Sequence, residues 1–291
     1  MTDLTRLYGA WARVANGTRM PGTDGVSLGR FGRNVRAELE RLATLIGGGE
    51  YQAQPLRVYE RKIGDRRRVF AVPTVRDRVA QRAALEVLRR KLDADQSEAS
   101  FAYRKGRSWL GALRLVEECR DLGLTWVVRA DIRNYFESID HDLLEQRLCR
   151  SVNSSDMVAL IMGWVKAPML GDNGLIERST GVPLGAPISA ALANHFLADF
   201  DSAINGEWGV LVRYADDLVV ACPQRDWAYK AGGRVLDELA ALRLEHHPDK
   251  SYIASFDSGF SFLGWNFVGD GGFEEQPDRA RRWVHPMSTG R

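Results

Sequence analysis

Residues 210–222 read VLVRYADDLVVAC, two apolar runs joined at the acidic pair Asp216-Asp217. Runs of Val, Leu and Tyr this short read as strands, and the break between them reads as a hairpin with acids at its tip. An isolated Asp-Asp pair is ordinarily a solvated turn; apolar flanks on both sides argue against that here. Upstream, residues 125–144 read TWVVRADIRNYFESIDHDLL, where a β-rich run from Thr125 to Val128 meets Asp131 and passes into a helical pattern. Asp131, Asp216 and Asp217 thus each stand where a strand of apolar residues ends. An unpaired carboxylate is costly to bury, so acids in these places require a cation or solvent. Oxygen-only ligands suit Mg²⁺, and two such ions ease in-line attack of a hydroxyl on a phosphate. The chemistry indicated is nucleotidyl transfer.

Around this centre the chain is mostly α with short strands. Residues 1–50 are expected to be helical, with Leu39, Leu42, Leu45 and Ile46 at helix spacing and a stop at Gly47-Gly48-Gly49. PLRVYERKIGDRRRVFAVP, residues 55–73, reads as a basic hairpin around Gly64-Asp65. Arg76 to Leu92 predicts an amphipathic helix burying Val79, Ala83, Leu85, Val87 and Leu88, and a second helix spans Ser108 to Leu122. Residues 181–201, GVPLGAPISAALANHFLADFD, open as a Pro/Gly loop and become one long small-residue helix. Asp237 to Arg243 is helical again, SYIAS (251–255) and FSFLGWNF (260–267) are strands, and the last 25 residues lack periodicity.

With 291 residues, 45% of them hydrophobic, the chain is long enough to bury a sizeable core. Forty basic against thirty-eight acidic residues leave a net charge of +2, which at face value argues against a phosphate-binding protein. The distribution reverses that inference: Arg61 to Arg107 holds fourteen Lys or Arg against six Asp or Glu, a local +8. Thirty-four of the forty basic residues are arginine, suited to bidentate phosphate contacts, although a GC-rich genome would give the same bias. Cys119, Cys149 and Cys222 are odd in number and far apart, which argues against disulfides and a Cys metal site. No run reaches a membrane span and the N-terminus has no signal-like core, so a cytoplasmic protein without an anchor is expected.

RYADDLVV resembles the Y-x-D-D signature of reverse transcriptases, and ADIRNYFESIDHDLL resembles the preceding palm motif, an aspartate followed five residues later by an aromatic. GVPLGAPIS is similar to the family's Gly/Pro loop, FLGW to its primer-grip strand pair, and RVFAVPTVRDRVAQ with FAYRKGRS to its fingers motifs. These matches fall in family order from about residue 22 to residue 267. The resemblance implies an α+β right-hand polymerase: fingers in residues 1–124, an antiparallel palm sheet with flanking helices in 125–267, and a tail in 268–291. It implies that Asp131, Asp216, Asp217 and the backbone carbonyl of Ile132 bind two Mg²⁺ ions, for which Mn²⁺ can substitute. Phe136 matches the aromatic gate under the incoming sugar, which rejects a 2′-hydroxyl; from the residues alone it reads as a core aromatic, since Tyr135 and Phe136 both open an amphipathic helix. Lys62, Arg68, Leu184, Gly185 and Lys250 are implied nucleotide contacts, and Arg104, Arg107, Phe262, Leu263 and Gly264 nucleic-acid contacts. Tyr214 is expected to pack beside the catalytic tip. For the cationic residues a solvated surface charge is the alternative.

Leu184 stands where most of the family carries glutamine. A leucine cannot hydrogen-bond the nucleotide, so selection leans on shape. FAYRKGRS, WVVRADI and LANHFLADFD resemble the group II intron-like reverse transcriptases found beside or fused to the CRISPR integrase. That branch implies a role in spacer acquisition from RNA and antiviral defence. Alternatives are the enzyme of a diversity-generating or group II-like retroelement, or an antiphage polymerase that works without a template. The 27 residues after Gly264 are too few for a three-helix thumb. The expected partners are therefore an RNA template, a DNA or RNA primer, dNTPs, and an integrase, other accessory protein or structured RNA doing the thumb's work.

Overall fold

A computed structural model describes residues 1–63 and 66–275. The expected Gly64-Asp65 turn lies outside the described residues. Helices α1 (Leu4–Ala15), α2 (Leu28–Arg33) and α3 (Val35–Gly47) occupy the N-terminal fifty residues. Asp3 and Ser27 accept the Thr5 and Arg30 N–H groups that the starts of α1 and α2 would otherwise leave unpaired. β1 (Leu56–Ile63), β2 (Arg66–Val72) and α4 (Val75–Ala94) follow. α4 buries Val79, Ala83, Leu85 and Leu88, but Val87 is exposed, about 100° round the helix from Leu88.

Next come α5 (Trp109–Asp121), β3 (Trp126–Asp131), α6 (Tyr135–Ser138), α7 (His141–Ser151) and α8 (Ser155–Val165). Two three-residue strands, β4 (Met169–Gly171) and β5 (Gly174–Ile176), are too short for a periodicity to announce them. The helix expected after the Pro/Gly loop breaks at Leu197 into α9 (Ser189–Phe196) and α10 (Ala198–Ile204). β6 (Val210–Tyr214) and β7 (Asp217–Cys222) form the expected hairpin. α11 (Arg225–Ala241) begins twelve residues before the expected Asp237, its first turns masked in sequence by Trp227, Tyr229 and the Gly232-Gly233 pair. β8 (Tyr252–Ser255), β9 (Phe260–Phe262), β10 (Trp265–Phe267) and β11 (Phe273–Glu275) complete the described elements. β11 falls in the stretch expected to be an aperiodic tail; it pairs with β10, which supplies the order its sequence lacks.

The fold divides into two compact units whose segments alternate along the chain. The first comprises residues 1–61, 68–96 and 134–197. In it α1 packs on α3 and α4. Its sheet runs β2-β1-β4-β5, with β1 parallel to β4 through Leu56 opposite Met169. Leu56, Ala71 and Ala167 form a small core beneath it.

The second unit comprises the described residues of 62–67, 97–133 and from 198 on. Its antiparallel sheet runs β6-β7-β3-β8. On one face α5 joins Val127, Val212, Val219 and the aromatics Phe256, Phe260, Phe262 and Phe267 in a core. On the other, α11 approaches at Gly232, where an added methyl would touch Val128 and Ile253. Both faces of β3 and β7 are therefore covered, which is why these strands read as unbroken apolar runs instead of alternating.

Candidate active site

β3 and β7 lie side by side with Asp131 opposite Asp217, and Tyr214 faces Asp217 across the hairpin. Only Ala215 and Asp216 close that hairpin, and Ala215 takes φ +59°. A left-handed alanine costs about 1 kcal/mol. Arg213 holds it there: its guanidinium donates to the Ala215 carbonyl at 2.9 Å, to the Ser100 hydroxyl at 3.0 Å, and to both Asp201 oxygens at 2.6 Å. Arg213 and Asp201 are both fully buried.

Backbone bonds fasten the tip to the end of β3. Ile132 N–H donates to the Asp216 carbonyl (2.9 Å), His247 N–H to the Asp131 carbonyl (2.7 Å), and Arg133 N–H to the Glu245 carbonyl (2.8 Å). The last two bring the short 3-10 turn Pro248–Lys250 alongside, and Lys250 Nζ sits 2.8 Å from Asp131 Oδ1. Asp217 Oδ1 forms an ion pair with the Arg129 guanidinium at 2.6 Å, while Oδ2 accepts the Leu263 N–H at 3.4 Å. Burial pushes the Asp217 carboxyl up to about 7; Arg129 opposes that, and the Asp216 and Asp131 charges add to it.

These donors fit a hard divalent cation in kind, being carboxylates only, and buried Asp217 Oδ1 has the Arg129 guanidinium as its partner here. Among the described residues no three acidic, His or Cys side chains already stand together as an ion's ligands. Lys250 and Arg129 supply the positive charge instead.

The other expected site residues are distributed as follows. Tyr135 is the core aromatic of its pair, buried with its hydroxyl on the Ala193 carbonyl, whereas Phe136 packs edge-on against it and keeps part of its ring exposed. In the same unit, Ala71 N–H donates to the Leu184 carbonyl at 2.9 Å, and Gly185 takes φ +112°, which a residue with a side chain adopts only under strain. Lys62 and Arg68 are exposed on β1 and β2. Arg104 donates to the Ser97 and Ser100 carbonyls, and Arg107 pairs with Glu98 over the Phe101 ring, so both guanidinia are engaged within the protein. Phe262 is fully buried, because alternation along β9 turns it into the core. Leu263 and Gly264 follow it at the turn into β10, both with positive φ. Tyr214 is half-buried beside the tip, its hydroxyl pKa raised by burial.

Arg129, Arg213 and Asp201 are the site residues that sequence reading missed. Arg129 and Arg213 did leave a signal: each is a lone charge in an otherwise apolar strand, and such a charge must be paired. Asp201 left none, since its partner is twelve residues away.

Residues 60–267 match the family model described as reverse transcriptase (RNA-dependent DNA polymerase). The chain is 28% identical over 297 residues to protein YkfC of Escherichia coli K12, covering 87% of this chain and 77% of that protein. It is 26% identical to the group II intron-encoded protein LtrA of Lactococcus lactis subsp. cremoris, over 57% of this chain and 28% of LtrA. In structure it resembles a chain of a partial Cas6-RT-Cas1–Cas2 complex, with a TM-score of 0.51 and 27% identity over 82% of this chain and 41% of that one.

Proposed function

The chain belongs to the reverse transcriptases, the RNA-directed DNA polymerases, and on that premise we propose that it extends a primer 3′-hydroxyl with dNTPs against an RNA template. The observation that carries the proposal is Asp131 opposite Asp217 at the end of a doubly covered sheet, with Asp216 in the β6–β7 turn. Asp131, Asp216, Asp217 and the Ile132 carbonyl would hold two Mg²⁺ ions, which when bound stabilise the attacking and leaving oxygens of the transfer.

The chain's own residues bind and orient. Lys250 keeps a cation beside Asp131, where triphosphate charge would gather. Lys62 and Arg68 offer exposed cations to the triphosphate. Phe136 lies under the sugar and excludes a 2′-hydroxyl by its bulk, while Leu184 and Gly185 pack against the nucleotide without hydrogen-bonding its base. Leu263 and Gly264 meet the primer strand.

For the biological role we take spacer acquisition from RNA beside an integrase partner, which the likeness to the Cas6-RT-Cas1–Cas2 chain supports. The likeness to LtrA favours a second reading, a group II-like retroelement enzyme with structured RNA as the partner. Primer extension with Mg²⁺ on RNA and DNA templates, against Asp216→Ala, tests the activity. Template-directed incorporation lost in the variant is expected; no incorporation by the wild type with either partner would overturn the proposal, and incorporation that ignores the template would replace it with untemplated synthesis.

A further inference from the structure

Arg129 is a buried cation in the central strand of the palm sheet, two residues before Asp131 and on the same face of β3. Its guanidinium is used in every direction. Nε donates to the Ser261 carbonyl at 2.7 Å, one terminal nitrogen donates to the carbonyls of Ala130 (2.6 Å) and Leu218 (3.2 Å), and the other faces Asp217 Oδ1 at 2.6 Å. The ring of Phe262 lies 5.6 Å from the guanidinium carbon. Ser261 and Phe262 belong to β9, and the next residue, Leu263, donates its N–H to the other oxygen of Asp217. One carboxylate is therefore held from both sides, by a guanidinium that also grips β9 and by the backbone of the β9–β10 turn.

A structural ion pair would need only Asp217 and Arg129. Here the same cation spans three strands, β3, β7 and β9, and holds an acidic side chain of the tip. Lysine could not reproduce this, since a single ammonium cannot send donors along a plane to Ser261, Leu218 and Asp217 together.

We propose that Arg129 is a positioning residue for nucleotidyl transfer, locking the orientation of Asp217 to the Phe260–Phe267 hairpin so that the catalytic tip and that hairpin are one rigid piece. The proposal rests on the reverse-transcriptase reading for its reaction, but its first consequence is independent of any reaction. In the metal-free, substrate-free protein, Arg129→Met should raise amide exchange of Leu263 by about tenfold while the β3–β7 ladder keeps its protection. In primer extension the same variant should lose about 100-fold in kcat with the dNTP KM changed less than about threefold, the mark of lost orientation and not lost binding. Arg129→Lys should recover part of that loss. In an Asp217→Asn background, Arg129→Met should add little further loss, because the two act as one unit.

Exchange that rises equally through β3 and β7 would make Arg129 merely structural and overturn the proposal. Additive losses with Asp217→Asn, or unchanged kcat in an Arg129→Met protein whose wild type is active, would overturn it as well. If Arg129→Met does not fold, Arg129→Lys carries the same measurements. An inactive wild type would strike the polymerase reading, and Leu263 exchange would still decide the role of Arg129.

Discussion

Asp131, Asp216 and Asp217 are chemically ordinary aspartates; what distinguishes them is which groups they face. Asp217 is pushed up to about 7 by burial, yet it meets a guanidinium and a backbone N–H. Phe136 illustrates the same dependence. Its neighbour Tyr135 takes the core position and Phe136 is left half-buried, as the proposed sugar-gate role requires. Phe136→Ala is expected to raise ribonucleotide incorporation by about tenfold or more relative to dNTPs, since a steric clash of this size is worth one to three kcal/mol; competition assays with matched dNTP and rNTP measure it. The buried Arg213–Asp201 pair makes a stability prediction. Removing one partner strands a buried charge, so Arg213→Met should cost about 3–5 kcal/mol in denaturant unfolding, with the Arg213→Met, Asp201→Leu double variant regaining part of it. Asp131, Asp216 and Asp217 were legible in sequence as candidates because each closes an apolar run. The burial of Phe262 was not legible, because a primer-grip likeness carries no information on which face of β9 a side chain takes.

Strands and helices were legible to the extent that their pattern is local. The hairpin of β6 and β7 and the helices α4 and α5 stand where the periodicity places them. β4, β5 and β11 do not show in the sequence, because three residues hold too little pattern and their order comes from pairing, β4 with distant β1, β5 with β4 and β11 with β10. α7 offers a test at this scale. Its first residue, His141, is buried with Nε2 2.8 Å from the Gly181 carbonyl and with Nδ1 lacking a partner. Burial lowers its pKa, the Gly181 bond raises it in part, and Arg178 and Lys166 lower it further. The folded protein therefore resists protonation that the unfolded chain accepts. Above pH 6.5, the ordinary value, His141 contributes nothing to pH dependence, and below it stability falls by at most about 1.4 kcal/mol per pH unit. Thermal unfolding from pH 5 to 8 should show that slope in the wild type and a flatter one in His141→Gln, whose amide can still donate to Gly181.

Across the molecule, near-neutral net charge conceals a +8 block from Arg61 to Arg107. Part of that block is spent internally, as Arg78 on the Thr18 and Met20 carbonyls and Arg104 on Ser97 and Ser100 show. The exposed remainder, Lys62 and Arg68 among it, should give primer–template binding a steep salt dependence, with affinity falling at least about tenfold between about 50 and about 200 mM KCl through counterion release. Fluorescence anisotropy of a labelled duplex measures this, and a flat response would remove the basic block from the binding surface. Local pattern was enough to specify the family, the α+β class and the three aspartates, because hydrophobic periodicity and a charge closing an apolar run are both properties of neighbouring residues. Which cations meet those aspartates could not be read that way. Arg129 reaches Asp217, and Arg213 reaches Asp201, across spans of 88 and 12 residues that close only when strands pair and helices cover both faces of the sheet. A buried charge must find its partner wherever packing brings one, and packing is a property of the folded chain.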